Sequence, residues 1–261
     1  MPSEKTQAIV LRVVPFSESS CVLTLFTEDF GKRSALAKGA WRPKGPFEGA
    51  LDLLALVRVV FVPKSSEALD LLTEARLERR FRAAQRDLAR LYGGYYVAEL
   101  LLELTEPGDV HRELFAVADQ TLHALDQDAP VPPTLLAFEL AALRHLGHAP
   151  LLNRCAACDR PLKIPRSEGS RVALGLLAGG VLCPNCRSGR RAVISLTTQA
   201  WQWLIQLSGS TDHSEGGSEM AGQPPAEVCG ELRAVMNQYL AHLVGHRLRM
   251  SAYLSPTPRG R

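Results

Sequence analysis

The 261-residue chain has no apolar run near the roughly 20 residues a membrane-spanning helix needs. Its first residues, MPSEKTQAIV, lack the anatomy of a secretory signal. The expectation is a cytoplasmic protein. No G-x-x-x-x-G-K-[ST] is present, so no phosphate-cradling loop for a nucleotide. No H-E-x-x-H occurs; His111-Arg112-Glu113 is the nearest string and lacks the second histidine. A zinc deaminase would need H-x-E ahead of P-C-x-x-C; here Pro184 follows Cys183 instead of preceding it, so that pairing is missing too. Serine, histidine and aspartate occur without an elbow or triad context. Aromatics make up only 6% of residues. These absences point to a binding or scaffold protein and not to an enzyme.

Cysteine is scarce but clustered. Four of the six cysteines form two C-x2-C pairs, Cys155/Cys158 and Cys183/Cys186, with 24 residues between the pairs. A two-residue gap lets both sulfurs of one knuckle approach a single ion from a tight turn. Two such knuckles complete a tetrahedron with no position left for water, the pattern of one structural Zn2+. Residues 171–177 and 179–182 read as a hairpin in the spacer. Cys21 and Cys229 stand alone on apolar faces and read as core thiols.

Net charge is only +3, but it is unevenly placed. Residues 31–64 hold seven basic residues against two acids: Lys32, Arg33, Lys38, Arg42, Lys44, Arg58 and Lys64 against Glu48 and Asp52. Residues 81–150 are acidic, while 154–191 and the last fifteen residues are basic. The loop 39–49 (GAWRPKGPFEG) holds Trp41, Arg42 and Lys44 among Gly and Pro, with Lys38 just before it. Cations bind phosphates and an exposed indole can stack on a base, so Lys32, Arg33, Lys38, Trp41, Arg42 and Lys44 are the candidate DNA-binding residues.

Five strands are expected, at 6–14, 20–27, 32–38, 53–62 and 69–77. The fourth is almost wholly apolar and reads as buried on both faces. The fifth alternates, with Leu69, Leu71, Thr73, Ala75 and Leu77 on one face. Five short strands in about 80 residues suggest an OB-fold barrel. A long helix follows, with Phe81, Ala84, Leu88, Leu91, Tyr95, Ala98 and Leu102 in step. Asp109 is placed to cap a second helix, and Pro132-Pro133-Thr134 opens a third with Leu136, Leu140, Leu143 and Leu146 inward. Helices are also expected at 196–207 and 227–244. The fold class is therefore α+β: a barrel domain (1–80), a helical domain in two parts (81–150 and 193–250), an inserted four-cysteine module (151–192) and a basic tail (251–261). The segment 208–225 reads as a polar linker within the second helical part.

The string Thr27-Glu28-Asp29-Phe30-Gly31-Lys32, followed by Ala35-Leu36-Ala37-Lys38-Gly39, resembles the first domain of the RecO family of bacterial recombination mediators. Gly147-His148-Ala149-Pro150 before the first knuckle and Gly179-Gly180 before the second are similar to that family's zinc module. The likeness runs over nearly the whole chain. It implies a nucleoid-associated, non-enzymatic protein of DNA repair that binds single- and double-stranded DNA and anneals complementary strands. It also implies action with RecR to load RecA on strands coated with single-strand-binding protein. The acidic-apolar C-terminal tail of that coating protein is expected to meet the helical region, where Arg144 and Arg154 are the candidate cations. The rival expectation is a zinc-ribbon accessory factor of transcription or translation that binds a protein partner.

Overall fold

The computed structural model describes residues 2–42, 45–47, 49–64, 69–163, 170–209 and 223–254. These fall into two compact units, residues 1–131 and 132–261.

The first unit opens with five strands: β1 (Glu4–Pro15), β2 (Cys21–Thr27), β3 (Gly31–Ala37), β4 (Leu56–Val62) and β5 (Asp70–Arg79). They close into a barrel in the order β1-β2-β3-β5-β4. Neighbours are antiparallel except β3 and β5, which run parallel from Ala35/Asp70 to Ala37/Leu72. Closure leaves no free sheet edge. The long β1 makes it possible, since Glu4–Ile9 pairs with β4 while Ala8–Pro15 pairs with β2 across a bulge at Val10/Arg12. Inward side chains include Val10, Leu23, Leu25, Val57, Val59, Phe61 and Leu72. The β3–β4 connection adds Ala40, Phe47, Ala50, Leu51 and Ala55 to this core. That connection therefore plugs the barrel as well as presenting a surface.

Two strand expectations need correction. β4 is not buried on both faces: Arg58 is exposed, and Val60 and Val62 are half-buried. Apolar content here reflects tolerance on a partly wet outer face. Residues 53–55, expected in this strand, precede it, and Leu54 and Ala55 bond to Val10 instead. In β5, Leu72 and Ala75 are the buried pair while Leu71, Thr73 and Leu77 are half-buried. The cause is a bulge. Val60 pairs with Glu74 and Phe61 with Leu72, so Thr73 is the extra residue and the inward parity changes across it.

Helices α1 (Leu88–Leu104) and α2 (Arg112–Asp126) belong to the same unit as the barrel. A 3-10 turn (Ala83–Gln85) replaces the expected first turn of the long helix. Asp87 caps α1, its carboxylate accepting from the Ala89 N–H at 3.0 Å. The buried face of α1 is Gly93, Gly94, Tyr96, Val97, Ala98, Leu100 and Leu101, whereas Leu88 is 60% exposed. The α1 sequence is apolar nearly all round, so its period marks a helix without marking which side packs. His111, and not Asp109, holds the cap position of α2. Arg90 then bridges the two helices, donating to the carbonyls of Leu125, Gln127 and Ala129 at the end of α2.

In the second unit, α3 (Val131–His145), α5 (Thr198–Leu207) and α6 (Ala226–Val244) flank the cysteine module. Leu136, Leu140 and Leu143 of α3 are buried as expected. Glu139 on α3 pairs with Arg233 on α6 inside this helical packing. The module contributes the sheet β7-β6-β8, from β6 (Arg171–Gly175), β7 (Gly180–Leu182) and β8 (Val193–Thr197), and the short α4 (Pro184–Arg187). β8 takes in residues 196 and 197, the start of the expected 196–207 helix. Its VISLT alternation was the available signal, and α5 begins only at Thr198, with Thr197 Oγ1 accepting from the Ala200 N–H at 3.2 Å. Trp201 pins the module's entry by donating to the Leu152 carbonyl at 2.9 Å. A single helical turn, α7 (Ser251–Leu254), follows. Most of the expected linker (210–222), the tail beyond Leu254 and Lys44 lie outside the described residues.

Candidate metal centre and nucleic-acid interface

The first knuckle is a tight turn. The Asp159 N–H donates to the Cys155 carbonyl at 2.8 Å, and Asp159 takes a left-handed φ of 58°. The second knuckle leaves β7 and turns at once into α4. Cys183 is the cap residue, Pro184 holds the first helical position, and the Cys186 N–H meets the Cys183 carbonyl at 3.0 Å. The two knuckles are laced by Ala156 N–H to the Val181 carbonyl at 2.8 Å and by Cys183 N–H to Cys155 Sγ at 3.3 Å. Gly179 and Gly180 let this happen. Gly179 has φ +68°, and a Cβ on Gly180 would lie 2.4 Å from the Leu151 carbonyl oxygen.

The result brings Cys155, Cys158, Cys183 and Cys186 together, all four sulfurs within 4.8 Å of one another. Cys158 and Cys183 Sγ are 3.9 Å apart. A disulfide is about 2.05 Å long, whereas an edge of a tetrahedron with metal–sulfur bonds of about 2.3 Å is about 3.8 Å. The donor set therefore fits one tetrahedral, thiolate-preferring ion. Burial pushes the Cys155 thiol up, but N–H groups of Cys183, Ala157 and Cys158 aimed at its sulfur outweigh this and bring it to about 6. Cys186, hydrogen-bonded to the Cys183 and Cys158 sulfurs, is pushed up to about 12. A bound cation would take over the stabilisation that these protons now provide. Cys21 and Cys229 are buried free thiols, each raised by burial, as expected of core cysteines.

The candidate cations divide into two groups. Lys32 and Arg33 are engaged by the protein itself. Lys32 Nζ donates to the Leu102 carbonyl at 2.6 Å and to the Thr105 carbonyl, both at the end of α1. Arg33 forms a two-pronged pair with Asp70, Nε to Oδ2 at 2.8 Å and Nη2 to Oδ1 at 2.9 Å, and stacks over Phe61. Asp70 is buried, so Arg33 supplies its counter-charge. The string from Thr27 to Lys32 thus joins helix to barrel: Asp29 pairs with Arg112, and a Cβ on Gly31 (φ +65°) would fall 2.0 Å from the Asp109 carbonyl oxygen.

Lys38, Trp41 and Arg42 form the second group, and all three side chains are exposed. Trp41 is 50% exposed, so the indole is not folded onto the barrel. The loop's backbone is nevertheless tied down. The Trp41 N–H meets the Ser19 carbonyl at 3.2 Å and the Gly39 N–H meets Ser20 Oγ at 3.3 Å. Arg144 donates to the Ser208 carbonyl at 3.3 Å and Arg154 pairs with Asp159 at 3.2 Å, each remaining exposed. Around the knuckles Arg160, Lys163, Arg187, Arg190 and Arg191 are exposed as well. No described helix is long and apolar enough to cross a membrane.

A closed five-stranded barrel of OB topology, followed by helices and a four-cysteine module, defines a modular barrel-and-knuckle class of protein. Family models narrow this. One described as "Recombination protein O N terminal" matches residues 1–81, and one described as "Recombination protein O C terminal" matches residues 85–252. The chain is 40% identical to DNA repair protein RecO of Rhodopirellula baltica, over 95% of this chain and 97% of that protein. It is 35% identical to DNA repair protein RecO of Anaeromyxobacter dehalogenans (97% and 96% covered) and 31% identical to that of Moorella thermoacetica (96% and 90%). The chain belongs to the RecO family of DNA repair proteins.

Proposed function

We propose that this protein is a non-enzymatic, cytoplasmic recombination mediator that binds single- and double-stranded DNA and anneals complementary strands. With RecR it helps RecA load on DNA coated with single-strand-binding protein. The observation that carries the reading is the exposed group Lys38, Trp41 and Arg42 on a loop held to the barrel by backbone bonds. Cations fixed to a rigid frame neutralise phosphates without choosing a sequence, which is what annealing of arbitrary strands requires. Lys44 extends the same set by sequence.

One Zn2+ is proposed at Cys155, Cys158, Cys183 and Cys186. A closed four-thiolate site supplies folding energy and no open position for chemistry, so its part is to hold the module's shape. The barrel (1–80) is assigned to DNA, and the helical parts (81–150 and 193–250) with the zinc module (151–192) to protein partners. Arg144 and Arg154 are the proposed cations for the acidic tail of single-strand-binding protein. For Arg154, binding would exchange its exposed pair with Asp159 for another carboxylate, at little cost because exposed ion pairs contribute only about 0–1 kcal/mol.

The test is annealing of complementary strands precoated with single-strand-binding protein, with the double variant Lys38→Ala/Arg42→Ala beside wild type. Two lost phosphate contacts should flatten the log–log salt dependence of single-strand binding by about 1.4 and slow annealing. An unchanged slope with annealing intact would reject this loop as the DNA surface.

A further inference from the structure

The β1–β2 turn and the start of the β3–β4 connection border an open cleft of about 390 Å³, lined in part by Phe16, Ser17, Ser20, Lys38 and Arg42. That volume falls within the range of about 300–1,000 Å³ common for small-ligand sites. Two features make it more than a gap between loops. First, its walls are held. The N–H groups of Phe16 and Ser17 both donate to the Ser20 carbonyl, at 2.9 and 3.1 Å, and the turn is joined to the opposite wall by the Ser19–Trp41 and Ser20–Gly39 bonds. Second, its chemistry is paired. Phe16 is 65% exposed and lines the cleft, so its ring is open to a ligand there. Lys38 and Arg42 line the same cleft, and no carboxylate lines it among the described residues. Gly39 helps aim Arg42: with φ +70° it leaves room for the arginine stem, whose Cδ would be 3.2 Å from a Cβ there.

Resting on the DNA-binding reading above, we infer that this cleft is a single-nucleotide subsite for an unpaired base. The base packs on Phe16 while Lys38 and Arg42 hold its flanking phosphates. A base within a duplex is stacked on both faces and cannot offer one to Phe16. The subsite therefore makes the barrel respond to strand state, whereas the cations alone respond only to charge. Trp41, whose backbone is bonded to the cleft wall, stands next to the site, and of the three tryptophans it alone is exposed, Trp201 and Trp203 being 1% and 3%. Intrinsic fluorescence changes on binding thus report from beside the cleft.

The experiment compares oligothymidylate with an abasic oligonucleotide of equal length and phosphate count, and with duplex. It uses full-length wild type, Phe16→Ala, Phe16→Tyr and Lys38→Ala/Arg42→Ala. Wild type should prefer oligothymidylate over the abasic strand, and Phe16→Ala should reduce that preference about tenfold without changing the salt slope. Phe16→Tyr should restore it. The cation variant should weaken both single strands alike and flatten the slope. Trp41 quenching should be larger with oligothymidylate than with duplex. Equal base preference in wild type and Phe16→Ala, or equal quenching by duplex, overturns the subsite while leaving phosphate binding in place. Failure of wild type to bind any of the three overturns the DNA reading itself.

Discussion

Lys32→Met separates a structural lysine from a DNA ligand. Methionine keeps the apolar stem and removes the ammonium. Lys32 Nζ now serves two carbonyls at the end of α1, Leu102 and Thr105. These belong to the group a helix leaves unsatisfied at its C-terminus, where a cation also meets the negative end of the helix dipole. Each bond to a charged donor is worth about 1.5–3 kcal/mol. Against this, burial already lowers the Lys32 pKa, with Glu106 and Glu103 pulling it back up, so the ammonium is partly desolvated at some cost. The net expected loss is about 2 kcal/mol. For a unit of 131 residues that lowers the melting temperature by about 5–15 °C. Thermal unfolding followed by circular dichroism measures it, and single-strand affinity is titrated against salt below the transition. The slope should match wild type, because Lys32 meets carbonyls and not phosphates. Lys38→Met should do the reverse, leaving the melting temperature in place and flattening the slope by about 0.7. If Lys32→Met melts with wild type and flattens the slope, the lysine is a DNA contact and the helix-capping argument is wrong.

The same unit offers a second structural test: Asp70→Asn removes the charge from the two-pronged Arg33 pair and should cost about 1.5–3 kcal/mol, read as a denaturant midpoint shift, with the salt slope of DNA binding unchanged. In the metal module, elemental analysis of protein purified without added zinc should find one Zn2+ per chain, and Cys155→Ser and Cys183→Ser should each lose it; full retention by both would reject the site. Gly180→Ala should lower metal content without touching a ligand, because its Cβ would lie 2.4 Å from the Leu151 carbonyl oxygen and the strand must shift; normal zinc retention would show that the knuckles are not held by this approach.

Local spacing by itself determines a great deal of this chain. Two residues between paired cysteines are a property of one turn, so the four candidate thiols could be read directly, and their sulfurs do converge. Strands separated by short turns had to pair with their neighbours, which placed β1 to β3 in register order. The inward leucines of α3 followed from their spacing, Leu136, Leu140 and Leu143 recurring every three or four residues. Other features depended on residues far apart in sequence. Lys32 and Lys38 are both lysines in one basic stretch, and only the arrival of α1, 70 residues on, makes the first a helix cap. Arg33 is likewise claimed by Asp70, 37 residues away. α1 carries apolar residues on every side, so its packed face was chosen by the partner and not by its own period. The inward parity of β5 turns on one extra residue opposite β4, a bulge that alternation along a single strand cannot reveal. Phe16 reads in sequence as a turn residue between two strands; only folding brings Lys38 and Arg42 to it. Chain spacing determines which groups can be neighbours within a turn, whereas the task of a charge or an exposed ring is determined by what the rest of the fold brings against it.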